Sequence, residues 1–258
     1  MKPYFQTENG VLYNADCLEV MPALEPKSVT LLFADPPYGH KNHDGDWNAR
    51  LNEHRGIESK PIANDSQEDM RRVVNGVLTL ATRVLKEDCC CCGGGGGPLP
   101  TFAWLASRMD QYGLMFFHSV IWDKKNPGLG WRFRRQHEML MFAHVEGGRL
   151  SWNPEVKAVP NIISIYPPRE RLHPNEKPLE LYSQVIFSTT VADDLVLDPF
   201  AGSCTTAVAC EQLGRRWICI ELEEEHCETS ARRIERERQQ LKLFPPVEMA
   251  KPVQDALF

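Results

Sequence analysis

An acid, two prolines and a tyrosine stand in a row at Asp35-Pro36-Pro37-Tyr38, directly after the apolar run 29–34. Each proline fixes φ at about −65° and has no N–H to donate, and each drives the residue before it toward an extended backbone. The carbonyls of Asp35 and Pro36 therefore meet no helical donor and can accept from a ligand. The Asp35 carboxylate adds a further acceptor, and Tyr38 offers an aromatic face and a phenol. Such a set suits a flat ring that carries an amino group. The competing explanation is a Pro-Pro strand end with an Asp turn, which needs no ligand.

A second acid ends another apolar run. Leu195-Val196-Leu197 leads into Asp198, and Pro199-Phe200-Ala201-Gly202-Ser203-Cys204 forms a turn of mostly small residues before a helix that starts at Thr205-Thr206. Such a turn brings backbone N–H groups and a helix N-terminus close to a ligand. Glu221 follows 23 residues after Asp198, at the end of the next apolar run. Nucleotide-binding α/β proteins hold a ribose diol with an acid at this spacing. The Gly-x-Gly-x-x-Gly fingerprint is missing, as is any Gly-Lys-Ser/Thr phosphate loop, so the pattern suits a nucleoside with no phosphate to cradle. A plain strand–turn–helix packing unit is the alternative.

These turns need a sheet to hold them. Short apolar runs at 10–13, 29–34, 114–122, 138–143, 195–197 and 217–221 read as strands. Helices are predicted at 70–85, 101–111, 179–188, 205–213 and 223–240. The alternation predicts an α/β fold with a mainly parallel sheet flanked by helices. With 258 residues, 42% of them hydrophobic, the chain can build one large core and shows no sign of a second. The expected domain is 1–240, with a tail at 241–258. The polar stretch 39–67 is too long for an ordinary connection, and the proline-bearing stretch 147–172 is expected to lie outside the sheet. Cys89-Cys90-Cys91-Cys92, followed by Gly93 to Gly97, reads as a strand of small buried residues running into a glycine turn. Successive strand side chains point to opposite faces, so four adjacent thiols cannot converge on a metal, and no metal is expected. No apolar stretch approaches the ~20 residues of a membrane span, and the N-terminus lacks a secretion signal, so the expected location is the cytoplasm of the host cell.

The two proline-bearing acidic turns, with His173-Pro174-Asn175-Glu176-Lys177-Pro178 just before the second, resemble the β-class S-adenosylmethionine-dependent DNA amino-methyltransferases. The nearest likeness is to small orphan enzymes of phage and prophage. In that class the base-handling motif precedes the cofactor motif, as here, so the resemblance implies a single-domain Rossmann-like methyltransferase fold with circularly permuted motif order. It takes in Asn14-Ala15-Asp16-Cys17-Leu18 and Ile220-Glu221-Leu222, and so spans the chain to about Gln240. By this likeness Asp35, the Pro36 carbonyl, Pro37 and Tyr38 would handle a base flipped out of duplex DNA. S-adenosylmethionine would lie against Asp35, Asp198, Phe200, Ala201, Gly202, Ser203 and Thr205. Glu221, beside Leu222, would bind its ribose, Asp16, beside Cys17, its adenine amino group, and Lys177 would lie near its methionine carboxylate. Cys204 departs from the family's usual glycine and adds a side chain close to the cofactor. Asn175 replaces a more usual threonine.

Asp at the head of the base-handling motif implies adenine, because the cytosine-N4 enzymes usually carry Ser there. The reading is thus adenine-N6 methylation of double-stranded DNA, with cytosine-N4 as the alternative. An RNA or protein methyltransferase is disfavoured by motif order, and an inactive DNA-binding module by the intact carboxylates. The net charge of −6 does not point to nucleic acid. The stretch 124–135 does, since Lys124, Lys125, Arg132, Arg134 and Arg135 are interleaved there with two aromatics and no acid. Stretches 39–67 and 147–172 are candidates for reading the target sequence. Segments 240–244 and 254–258 resemble sliding-clamp docking peptides, although packing of an apolar terminus on its own domain is preferred. The oligomeric state is left open, a homodimer included.

Overall fold

The computed structural model describes residues 1–36, 66–95, 99–127, 133–134, 136–168 and 176–243. In chain order these form β1 (Phe5–Gln6), β2 (Gly10–Asn14), α1 (Cys17–Val20), β3 (Val29–Ala34), α2 (Gln67–Val84), β4 (Leu85–Gly95) and α3 (Leu99–Gln111). Then come β5 (Leu114–Asp123), β6 (His137–Val145), β7 (Arg149–Leu150), β8 (Ile162–Ser164) and α4 (Leu179–Thr189). The last elements are β9 (Leu195–Asp198), α5 (Thr205–Leu213), β10 (Arg216–Glu221) and α6 (Glu224–Leu243). The expected α/β fold is present. Positions 37, 38, 39–65, 132, 135 and 173–175, together with the tail from 244, lie outside the described residues.

The sheet runs β1-β2-β10-β9-β3-β4-β6-β5-β8, with β7 beside β4. From β2 to β4 every pairing is parallel, whereas β6 runs antiparallel to both β4 and β5. All six residues of β3 are buried, because a central parallel strand is covered on both faces and is mostly apolar; the one polar side chain, Thr30, donates its hydroxyl to Asp194 at 2.7 Å. Leu31 and Phe33 enter one core layer, with side chains of α4 and α5, and Leu32 and Ala34 enter the other, with α2. The cysteine run obeys the same alternation: Cys90 belongs to the first layer, Cys89 and Cys91 to the second.

Helix α2 shows how the layers are built. Ser66 caps it, its hydroxyl oxygen accepting from the Asp69 N–H at 3.0 Å, and Glu68 and Asp69 place negative charge in the first turn. Met70, Val73, Val74, Val77, Leu78, Ala81 and Val84 fall on one face and are buried. Its larger side chains are each worth about 1.5–3 kcal/mol against exposure.

Three expectations are corrected. Strand β4 does not turn at the first glycine but pairs with β6 as far as Gly95 opposite Met139, because the neighbouring strand supplies the ladder that glycine alone does not favour. The stretch 147–172 does not lie outside the sheet: Arg149 and Leu150 pair with Asp88 and Cys89, and Ile162 to Ser164 extend the edge beside β5. Ile163 is buried there, and the Trp122 indole donates to the Ile165 carbonyl at 2.8 Å. Finally, the last helix, predicted to end at 240, runs to Leu243 as α6.

Candidate active site

Strands β3 and β9 are parallel neighbours, with Leu31 opposite Val196 and Leu32 opposite Leu197. Asp35 and Asp198 therefore emerge at the same edge of the sheet. From β3 the chain goes on to β4 on one side, and from β9 it crosses to β10 on the other. Connections that diverge from adjacent strand ends leave a crevice, the usual ligand site of open α/β sheets. The two acidic turns, far apart along the chain, flank it.

Asp198 is 3% exposed. Its carboxylate accepts from the Phe200 N–H at 3.0 Å and from the Thr206 hydroxyl at 2.5 Å. Burial raises its pKa from 3.8 to about 7; those two bonds resist the rise, and the negative charges of Asp35 and Glu221 add to it. Three acids thus crowd one rim. The turn that follows has left-handed backbone at Gly202 (φ 49°) and at Cys204 (φ 54°). The left-handed backbone at 204 is one that glycine adopts without strain and a residue with a Cβ does not. Contrary to expectation, the Cys204 side chain does not line the rim. It is fully buried, in the same core cluster as Cys219.

Glu221 ends β10, and its carboxylate is already engaged. One oxygen accepts from the Gly202 N–H at 2.7 Å, the other from the Glu223 N–H at 2.9 Å, with His226 Nδ1 at 3.6 Å. Burial pushes its pKa up, but the His226 and backbone N–H partners outweigh this and hold it below the usual range. Hydrogen bonding to Glu221 in turn raises His226. Asn14, paired with Glu221 across β2 and β10, donates to the Glu221 and Leu222 carbonyls. Asp16 stands just beyond at the same edge, its carboxylate accepting from the Leu18 N–H at 2.9 Å as the cap of α1, and Cys17 behind it is buried.

Helix α6 braces the turn from behind. The Ser230 hydroxyl donates to the Gly202 carbonyl at 2.9 Å. Arg233 donates to the Ser203 carbonyl at 2.9 Å and the Thr205 hydroxyl at 3.1 Å, and pairs with Glu176 at 2.9 Å. Sequence reasoning missed these residues and His226, since one polar position in a charged helix looks like another.

A family model described as DNA methylase, covering N6 and N4 methyltransferases, matches residues 29–232. The chain belongs to this DNA methylase family. The type II methyltransferase M2.LlaDCHI of Lactococcus lactis subsp. cremoris is 28% identical to it over 255 residues, 90% of this chain and 92% of the relative. M2.DpnII of Streptococcus pneumoniae is 26% identical over 260 residues, 92% of this chain and 94% of its own. Among solved structures, PvuII DNA methyltransferase (cytosine-N4-specific) superposes with a TM-score of 0.72 at 21% identity, covering 93% of this chain and 95% of its own. The M1.HpyAVI–SAM complex gives 0.62 at 24%, covering 86% and 98%. At such identities these structures speak to the fold.

In this DNA methylase the predicted site residue Lys177 reaches the acid of the first turn. Its ammonium lies 2.5 Å from Asp35 Oδ2 and 3.5 Å from Glu138 Oε2. Desolvation lowers its pKa, but Asp35 and Glu138 outweigh that and leave it raised. Glu138, at the start of β6, was not foreseen; an acid beginning an apolar strand carries no mark of its partner. Among the predicted DNA-binding residues, Lys124 pairs with Glu138 at 2.5 Å and stands over the Trp122 ring. Lys125 stands over Tyr166, and Arg134 donates to the Pro127 carbonyl at 3.1 Å. Phe133, between the predicted arginines, is fully exposed.

Proposed function

We propose that this DNA methylase transfers a methyl group from S-adenosylmethionine to the N6 amino group of adenine in duplex DNA. The observation that carries the reading is the pairing of the two acidic turns across one crevice, with Asp35 anchored by Lys177. The rim fits the cofactor by charge. Asp35, Asp198 and Glu221 favour a cationic nucleoside and would repel a phosphate. Glu221 beside the Gly202 turn would take the ribose hydroxyls, Asp16 the adenine amino group, and the 198–205 turn the methionine portion. Bound there, S-adenosylmethionine supplies a methyl on a cationic sulfur that departs as a neutral thioether.

The protein's part is alignment. The lone pair of an adenine amino group is delocalised into the ring, so the nitrogen is a poor nucleophile. Asp35 and the Pro36 carbonyl accept its two N–H bonds and favour a pyramidal nitrogen whose lone pair faces the methyl. Holding both reactants in line contributes up to about 7–11 kcal/mol in ideal systems. Once the nitrogen carries the methyl it is cationic and strongly acidic. Asp35 first stabilises that charge and then takes the proton. The base must leave the stack to reach this edge, at a cost of a few kcal/mol, and the segments 39–67 and 147–172 are our candidates for reading its neighbours.

Cytosine-N4 is the second reading, favoured by the specificity of the PvuII neighbour. Modified DNA digested to nucleosides and analysed by mass decides between them. N6-methyl-2′-deoxyadenosine supports the proposal, N4-methyl-2′-deoxycytidine replaces the base, and no methylated nucleoside refutes both.

A further inference from the structure

Strand β6 runs antiparallel to β4, so it begins at the edge where the parallel strands end. Its second residue, Glu138, therefore stands on the rim that carries Asp35, although four elements, α2 to β5, intervene along the chain. Nothing apolar calls for an acid at this point. An acid opening a strand could turn to solvent, yet the Glu138 side chain is only 16% exposed. Withdrawing a carboxylate this far costs several kcal/mol unless partners repay it. Its two oxygens are taken by two ammonium groups, Lys124 at 2.5 Å and Lys177 at 3.5 Å. Lys177 passes the contact on to Asp35 Oδ2 at 2.5 Å, and both of those side chains are also withdrawn, at 11% and 15% exposure. The result is an alternating row, Lys124–Glu138–Lys177–Asp35, with two positive and two negative members.

We propose that Glu138 is a positioning residue for methyl transfer. It fixes the Lys177 ammonium from the side opposite Asp35, so that Lys177 holds one oxygen of Asp35 in a single place. Lys124, packed over Trp122 with its ring centroid 5.4 Å away, fixes Glu138 in the same manner. A buried lysine facing Asp35 alone could swing with it. One restrained on two sides cannot. The pKa of Glu138 agrees with this wiring: burial pushes it up, but the Lys177 and Lys124 charges outweigh burial and hold it below the usual carboxylate range. The inference rests on the reading above, in which Asp35 holds the amino group that receives the methyl.

The test compares wild type, Glu138→Gln and Glu138→Asp in single-turnover transfer to DNA at saturating S-adenosylmethionine, alongside cofactor affinity by calorimetry and thermal melting. Gln keeps the size and removes the charge; Asp keeps the charge and shortens the reach. The expected order of rates is wild type, then Asp, then Gln, with Gln slower by about 10- to 100-fold while cofactor affinity changes by no more than about twofold. Should Gln melt below the assay temperature, the comparison of wild type with Asp carries the test, and Asp must still be slower with affinity intact. Rates within about threefold of wild type for each folded variant, or rate and affinity falling in proportion, overturn the inference. A wild-type protein that moves no methyl to DNA overturns the functional reading instead.

Discussion

The raised pKa of Asp198 makes cofactor binding a proton-linked event. Without ligand, burial holds the carboxyl near 7, with Asp35 and Glu221 adding to the effect. A cationic cofactor beside it favours the ionised form. If only that form binds, the apparent dissociation constant is the intrinsic one divided by the ionised fraction. Above pH 7 the fraction approaches one and affinity is level; below pH 7 affinity weakens by about tenfold per pH unit. Isothermal calorimetry from pH 5.5 to 8.5, in two buffers of different ionisation enthalpy, should show that slope and the release of about one proton per cofactor bound at low pH. Asp198→Asn should abolish the slope, whereas His226→Gln, which removes an imidazole of raised pKa from this rim, should leave most of it. A dissociation constant that stays level across the range for the wild type refutes the argument. The same titration enters stability with the opposite sign to a salt-bridged acid. Its contribution is fully present below about pH 4 and is lost as pH rises through about 7, so the melting temperature of Asp198→Asn relative to wild type should climb from pH 5 to pH 8.

Asp35→Ala should abolish transfer while cofactor binding survives, weakened only by the loss of one rim charge, whereas Glu221→Ala should weaken the cofactor further, by about 1.5–3 kcal/mol, the worth of a hydrogen bond to a charged group; calorimetry and a labelled-methyl assay separate the two. Arg233→Ala should cost about 3 kcal/mol in a denaturant titration, since it removes a withdrawn ion pair with Glu176 and the donor to two turn acceptors. At position 204 the left-handed backbone predicts that Cys204→Gly is more stable than Cys204→Ala by about 1 kcal/mol, because both lose the buried thiol and only glycine relieves the φ of 54°. Equal unfolding midpoints for that pair would remove the strain argument.

What could be read along the chain was local. Apolar runs located β3, β5, β6, β9 and β10 to within a residue or two, because strand burial is written in consecutive side chains. Proline and small residues marked the two turns, because their backbone limits act over one or two positions. The resemblance carried by those turns named the family before any contact was known. Tertiary structure decided everything that depends on which strands lie side by side. The order β9-β3-β4-β6 brings Lys177 to Asp35, 142 positions away, and brings Glu138 to both, yet no spacing in the sequence announces such a meeting. Strand β8 was hidden among prolines because three residues carry too little periodicity, and it forms only where β5 offers an edge. The burial of Cys204 was likewise out of reach: its left-handed φ and its place in the core belong to a turn braced from behind by Ser230 and Arg233 of α6.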